Sequence, residues 1–418
     1  MGARPLIRQH ADFRRLWIGE TVSQFGTQVS MLAVPLVAVV TLGAGTLQIG
    51  LLTALETAAF LVVGLPAGAW VDRMRRRTIL IVTDLLRAVL LASVPLAATL
   101  HVLTLAQLYV VVFALGICTV FFDVAYQSYL PSLVARADLA EGNARLQASA
   151  STAYVLGPSV AGYLVQVLTA PIALLADAAS FLWSAAFVTA IRMREPASAP
   201  RRRSGSLRTE IGEGMRLAAG HPVLRAIMLY NATTVLFWSV ERALEVVFLV
   251  RTVGLSPAGI GVLSAVAGCG SVVAALVTGR LARRYGSART MLSAATVGHA
   301  FVLLVPMTAA GPRLAMYAVG AGVSSFCVVV FNIVSLTLRQ TLCAEHLLGR
   351  VNATIRFFSW ATLPVGAVLG GVLGTVLGLR GSLWVAVTGG VVSLLWLYRS
   401  PLRRTGDPIA TRAEEAPA

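Results

Sequence analysis

Seven carboxyl groups stand inside stretches that are otherwise apolar: Glu20, Glu56, Asp84, Asp123, Asp177, Glu241 and Glu245. In lipid such a group must pair, face water or carry a proton. One that takes up and releases its proton can couple proton flow to other work. Glu56 lies about ten residues from the outer end of its stretch, near mid-depth at ~1.5 Å per residue, with no arginine within a turn. It is a candidate for proton coupling or for holding a substrate cation; the alternative is an acid hydrogen-bonded between helices. Glu241 and Glu245 are one turn apart on one face, and Arg242 precedes Glu245 by three residues. That spacing predicts an Arg242–Glu245 pair that leaves Glu241 free toward a cavity; alternatively all three line a wet vestibule. Asp84 and Arg87, three apart, are expected to pair structurally. Asp177 is expected to make a helix–helix hydrogen bond, and Glu20, shallow in the first stretch, to sit at a gate or on the surface. His299 is a further relay candidate.

The elements that position these groups follow from composition. The 418 residues are 57% apolar and 12% charged, about half the charge of a soluble chain. Too few charges exist to cover soluble domains of this size, so lipid must solvate much of the surface. The formal charge of +16 suggests nucleic acid by itself, but position excludes that reading. Every basic residue is Arg, and they crowd the two tails and the turns of one side. Only Arg251, Arg313 and Arg380 fall in turns of the other side, and Arg87, Arg242 and Arg356 within spans. This positive-inside bias places both termini in the cytoplasm.

The absence of lysine removes a P-loop ATPase and a lysine Schiff base from this chain. Uphill work must draw on an ion gradient or another subunit, and no resident cofactor is expected. Cys118, Cys269, Cys327 and Cys343 have neither zinc-site nor disulfide spacing. No His/Cys/Asp cluster has catalytic spacing, so the chain is not expected to be an enzyme.

Twelve spans are predicted, each near or above the ~20 residues needed to cross a bilayer. They cover about Phe13–Val40, Leu47–Val71, Thr78–Thr99, Leu105–Leu130, Ala144–Leu168 and Ile172–Ile191. The second six cover about Val223–Val250, Pro257–Leu281, Thr290–Ala310, Leu314–Leu338, Val351–Leu377 and Leu383–Tyr398. Pro131 is read as the stop of the fourth span, and Val134–Asn143 as a polar, helical inner link. The expected organisation is a bundle over 1–195, a basic linker over 196–220 with an amphipathic helix near Leu207–Ala218, a second bundle over 221–400 and a disordered tail over 401–418.

The halves repeat. Thr46–Ala54 matches Pro257–Ala265 at an offset of 211, which also brings Gly68 onto Gly279 and Asp72-Arg73 onto Arg283-Arg284. At 209, Asn143 meets Asn352, and Gly157 and Gly162 meet Gly366 and Gly371. Two six-span halves in parallel orientation are a transporter pattern.

At these residues the chain resembles the major facilitator superfamily over roughly 10–400, within the group of drug, macrolide and enterobactin exporters. Gly68-x-x-x-Asp72-Arg73, followed by Arg76 and Arg77, is similar to the family's loop motif, with Arg75 in place of its internal glycine. Ala153-x-x-x-Gly157-Pro158-x-x-Ala161-Gly162 resembles the antiporter motif of helix 5, with alanine at two glycine positions. Tyr129-Leu-Pro131 with Asn143, Leu348-Gly349-Arg350-Val-Asn352 and the run Asp177–Phe181 resemble group signatures. The resemblance implies an all-α membrane fold of twelve helices in two six-helix bundles, with helices 1, 4, 7 and 10 lining a cavity. It implies a cytoplasmic latch in which Asp72 meets the start of helix 11 and a loop arginine meets Asp123. Gly68 is read as allowing close helix approach, and Arg356 as facing the latch or the cavity. It further implies a monomer that exports a small bulky molecule against protons, macrolides or other drugs first, a siderophore or self-made product as the rival. An uncoupled facilitator or a receptor is the less favoured reading. Phe25, Phe237, Trp238, Phe357, Phe358 and Trp360 are the aromatics that can stack on such a ligand.

Overall fold

A computed structural model describes residues 10–71, 73–135, 138–193, 212, 215–217, 219–343 and 345–403. Twelve long helices run through the described residues, with no strand among them. They are α1 (Ala11–Leu36), α2 (Thr46–Val71), α3 (Arg76–Thr99), α4 (Leu105–Leu133), α5 (Leu139–Leu168) and α6 (Ala170–Thr189). The second series is α7 (Pro222–Arg251), α8 (Pro257–Tyr285), α9 (Ser287–Val302), α10 (Leu314–Leu342), α11 (Glu345–Val376) and α12 (Gly378–Val392). Ten are long and apolar enough to cross a membrane by length and composition. The other two, α5 and α7, have 30 residues each; polar residues such as Gln147 and Ser151 or Glu241 and Glu245 dilute their apolar runs.

Several boundaries differ from the sequence reading. Pro131 does not stop α4, which continues to Leu133. A proline removes one hydrogen bond and crowds the carbonyl four residues back, which near a helix end is easily absorbed. The polar link is short because α5 begins at Leu139. The ninth span ends at Val302 and is continued by 3-10 turns at Val305–Met307 and Gly311–Arg313, where Pro306 and Pro312 deny the α-helical bond. The twelfth begins at Gly378 and breaks at Ser393 before a short helix, Leu394–Tyr398. Most of the linker, and the tail from 404, lie outside the described residues.

The chain divides into two compact units, Met1–Arg201 with Leu249–Ala265, and Arg202–Phe248 with Val266–Ala418. In the first, α1 packs on α5 and α6, α3 on α4 and α6, and α2 on α4. Its buried core includes Phe13, Leu16, Leu80, Phe122 and Tyr129. In the second, α9 packs on α10 and α12, and α11 on α12, around Ile227, Tyr230, Met291, Phe331 and Leu338.

The repeat seen in the sequence recurs inside each unit as glycine contacts. A Cβ built on Gly157 of α5 would meet the Gln28 side chain of α1; one built on Gly366 of α11 would strike the Leu236 carbonyl of α7 and come within 2.8 Å of Ser239. Gly116 of α4 lies against the Glu56 carbonyl and Ala59 of α2, at 2.7 and 2.8 Å for a built Cβ, and Gly270 of α8 lies against the Gly322 carbonyl of α10. Without a hydrophobic drive between helices in lipid, close backbone approach at small residues holds the pairs together. Gly68 is different: a Cβ there would meet nothing within 4 Å, so the close approach expected at this glycine is not found among the described residues. Gly366→Ala should therefore lower stability by about 1–3 kcal/mol through overpacking, while Gly68→Ala changes it by less than about 1 kcal/mol. Thermal unfolding of the purified variants checks the pair; equal shifts would defeat the packing argument.

Candidate functional site

The second unit holds the acids of α7. Glu241 is partly buried, and its carboxyl finds no hydrogen-bond partner among the described residues. It lies ten residues before Arg251, the last residue of α7, or ~15 Å from that end. Glu245, one turn on, accepts a hydrogen bond from the Tyr317 hydroxyl of α10. The expected Arg242–Glu245 pair does not form among the described residues. The Arg242 guanidinium instead lies over the Trp238 ring, 5.7 Å from its centroid. A helical arginine can lean toward either neighbouring turn, and here the indole at i−4 offers a cation–π contact while Tyr317 occupies Glu245. Arg356, on the surface of α11, makes the same contact with Trp360 at 4.2 Å. His299 is buried and donates from its Nδ1 to the Ala295 carbonyl, 2.8 Å away, with the Ser393 hydroxyl 3.3 Å from Nε2.

In the first unit, Glu56 is exposed on α2, ten residues from the helix start and with no partner among the described residues. Glu56 and Glu241 thus each stand ten residues from one end of their own helix. Asp84, Arg87, Asp177 and Glu20 are the buried charged residues of this unit among those described. Arg87 donates to Asp84, and its guanidinium lies between the Phe122 and Phe181 rings at 4.1 and 4.2 Å. Asp177 accepts from Ser30 of α1 and from Ser180, one turn along α6, at 3.0 Å. A Cβ on Gly26 would fall on these atoms, so the glycine is what lets α1 approach this carboxylate. Glu20 is not at the surface. It is 8% exposed, takes one bond from Gln24 at 2.5 Å, and its Oε2 has no partner among the described residues. Its position near the start of α1 concealed this, because covering by α5 and α6 is a tertiary fact.

Asp72 lies outside the described residues. Arg73 is exposed in the turn that follows, and Arg76 opens α3. Asp123 is an exposed residue of α4 that interacts with its surroundings. Arg77 reaches the end of α6, donating to the carbonyls of Val188 at 3.2 Å and Thr189 at 2.5 Å. Those carbonyls stand at a helix C-terminus, where a cation is favoured, and the Val188 carbonyl also accepts from the Ile191 N–H at 3.2 Å. Pro158 and Gly162 of α5 meet the start of α8: a Cβ on Gly162 would strike the Pro257 carbonyl, and one on Gly261 the Pro158 carbonyl. Arg251 was read only as a turn residue; it donates to the Ala44 carbonyl at 2.9 Å and the Val39 carbonyl at 3.4 Å. These belong to the π-helical turn Val37–Thr41 and the loop that closes α1. An arginine on the side where arginines are otherwise scarce was the signal available for it. Among the described residues no group of three or more His, Cys, Asp or Glu could hold a metal ion.

Comparison with known proteins places this architecture. Residues 3–416 match the family model described as transmembrane secretion effector. The chain is 28% identical to the multidrug efflux pump Tap of Mycolicibacterium fortuitum, covering 78% of this chain and 80% of the relative. It is 25% identical to the enterobactin exporter EntS of Citrobacter koseri, covering 96% and 95%. Among solved structures, the nucleoside transporter NupG superposes with a TM-score of 0.72 at 13% identity, over 94% of this chain and all of that one. At that identity the likeness speaks for the fold.

Proposed function

The chain belongs to the transmembrane secretion effector family, within the major facilitator superfamily of membrane transporters, and from that premise we propose that it exports bulky amphipathic compounds, drugs or antibiotics, in exchange for protons. It works by alternating access in the plasma membrane, as a monomer with both termini in the cytoplasm, and the proton gradient takes the place of a cofactor. The observation that carries this reading is Glu241. A carboxyl group at about mid-depth of a membrane-crossing helix, with no partner among the described residues, is costly unless it does work. Proton exchange is the work such a group can do. Glu56, as far from one end of its own helix and equally without a partner, is the second carrier. Support for the cargo comes from the relatives named as a multidrug efflux pump. Bundle rocking with a latch at Gly68–Arg77 and Asp123 supplies the conformational cycle.

A siderophore or another natural product made by the same cell is the second reading. It is favoured by the relative named as an enterobactin exporter. Arg242 over Trp238 and Arg356 over Trp360 also set a cation beside an aromatic plane, which suits an anionic aromatic compound.

Everted membrane vesicles carrying the purified chain test the two. Under an imposed pH gradient, acid inside, accumulation of a dye and of macrolides should rise several-fold over vesicles with the gradient collapsed. If only catecholate compounds move, the second reading stands. If nothing responds to the gradient, proton coupling is lost.

A further inference from the structure

Four exposed arginines flank the turn between α8 and α9: Arg280, Arg283 and Arg284 at the end of α8 and Arg289 at the start of α9. No acid stands on the sequence between Glu245 and Glu345, or from Glu345 to the end of the described residues. The helices packed on α9, which are α10 and α12, therefore offer these guanidinium groups no carboxylate, and none of the four makes an ion pair among the described residues. The repeat sharpens the point. Asp72-Arg73 in the first half corresponds to Arg283-Arg284 in the second, so the acid of the first turn has become a cation.

Directly beside this turn, α8, α9 and α10 leave a crevice of about 290 Å³. Leu281, Val297, Phe326 and Val330 give it an apolar lining, and Tyr285, Thr290 and Ser293 also line it. From Thr290 to Val297 it follows α9 for ~10 Å. Arg284 lies 5.4 Å from the centre of the Tyr285 ring, which joins the charged turn to the mouth of the crevice. An apolar slot that opens under a cluster of unpaired cations matches a molecule with an anionic head and an apolar chain.

We propose that this is a binding seat for an anionic phospholipid, with the phosphate against Arg280, Arg283, Arg284 and Arg289 and one acyl chain along the crevice. The orientation proposed above would make it a lipid of the inner leaflet. Binding itself does not depend on that orientation or on the cargo. A basic cluster attracts an anionic surface in any case; the crevice adds a place for the chain, so headgroup and chain must both contribute.

Native mass spectrometry of the detergent-purified full chain tests this. The probes are phosphatidylglycerol and phosphatidylcholine with matched chains, and inorganic phosphate as competitor. The wild type should favour phosphatidylglycerol by about tenfold, with phosphate unable to displace it. Arg280→Gln/Arg283→Gln/Arg284→Gln/Arg289→Gln should abolish the preference. Val297→Trp fills the crevice from a side chain that is 40% exposed; it should lower phosphatidylglycerol occupancy several-fold with all four arginines in place. Unchanged binding in Val297→Trp, equal binding of the two lipids, or displacement by phosphate would each overturn the seat. Should Val297→Trp fail to fold, Ser293→Trp fills the mouth from another exposed position and carries the same expectation. No transport is read, so failure of the exporter assignment leaves this result standing.

Discussion

Arg87→Met is expected to lower the stability of the purified chain by about 3–5 kcal/mol, the cost of breaking a buried ion pair from one side. Asp84 is 0% exposed and Arg87 5%. The guanidinium donates to Asp84 and fills the space between Phe122 and Phe181. Methionine keeps an apolar body between the rings and removes the charge, so the loss falls on the stranded carboxyl rather than on packing. The double variant Asp84→Asn/Arg87→Met removes both charges and should recover at least half of the deficit. Thermal and denaturant unfolding in detergent of the two single variants and the double variant give the coupling directly. A double variant as unstable as the sum of the singles would mean that the two residues act independently, and that the site is held by its hydroxyl and aromatic contacts instead.

Glu241→Gln is expected to remove the dependence of transport on the pH gradient while cargo binding changes by less than about twofold. Linkage between a proton and a cargo in other systems is worth about 5–150-fold, and that is the loss in gradient-driven accumulation to look for in vesicles. Glutamine matches glutamate in size and cannot exchange a proton, so the change isolates chemistry from shape. Glu245→Gln is the control. Its amide oxygen still accepts from Tyr317, and its effect should be well below that of Glu241→Gln. Glu56→Gln decides the remaining ambiguity. Coupling that survives Glu241→Gln and fails in Glu56→Gln moves the proton to α2; coupling that survives both variants removes these two acids from the mechanism.

Composition, arginine placement and the repeat were enough to read an all-helical membrane protein of two related halves. These features are one-dimensional: a span needs a minimum number of apolar residues in a row, and a topogenic charge acts from its place in a turn. The same holds for the Asp84–Arg87 pair, since three residues on a helix bring two side chains together whatever surrounds them. Partners from elsewhere in the chain were decided only by the fold. Arg242 had a carboxylate three residues ahead and an indole four behind, and the hydroxyl of Tyr317, 72 residues away, took up the carboxylate. Glu20 looked shallow by its distance from the start of α1, yet burial depends on what lies beside a residue, not on how far along the helix it stands. Gly68 carries a motif but no close contact, while Gly116, in no motif, lies against the backbone of α2. Arg77 ends on the carbonyls of α6, 111 residues on. Sequence spacing sets which residues share a helix face; which face meets which helix is settled by the packing of all the spans at once.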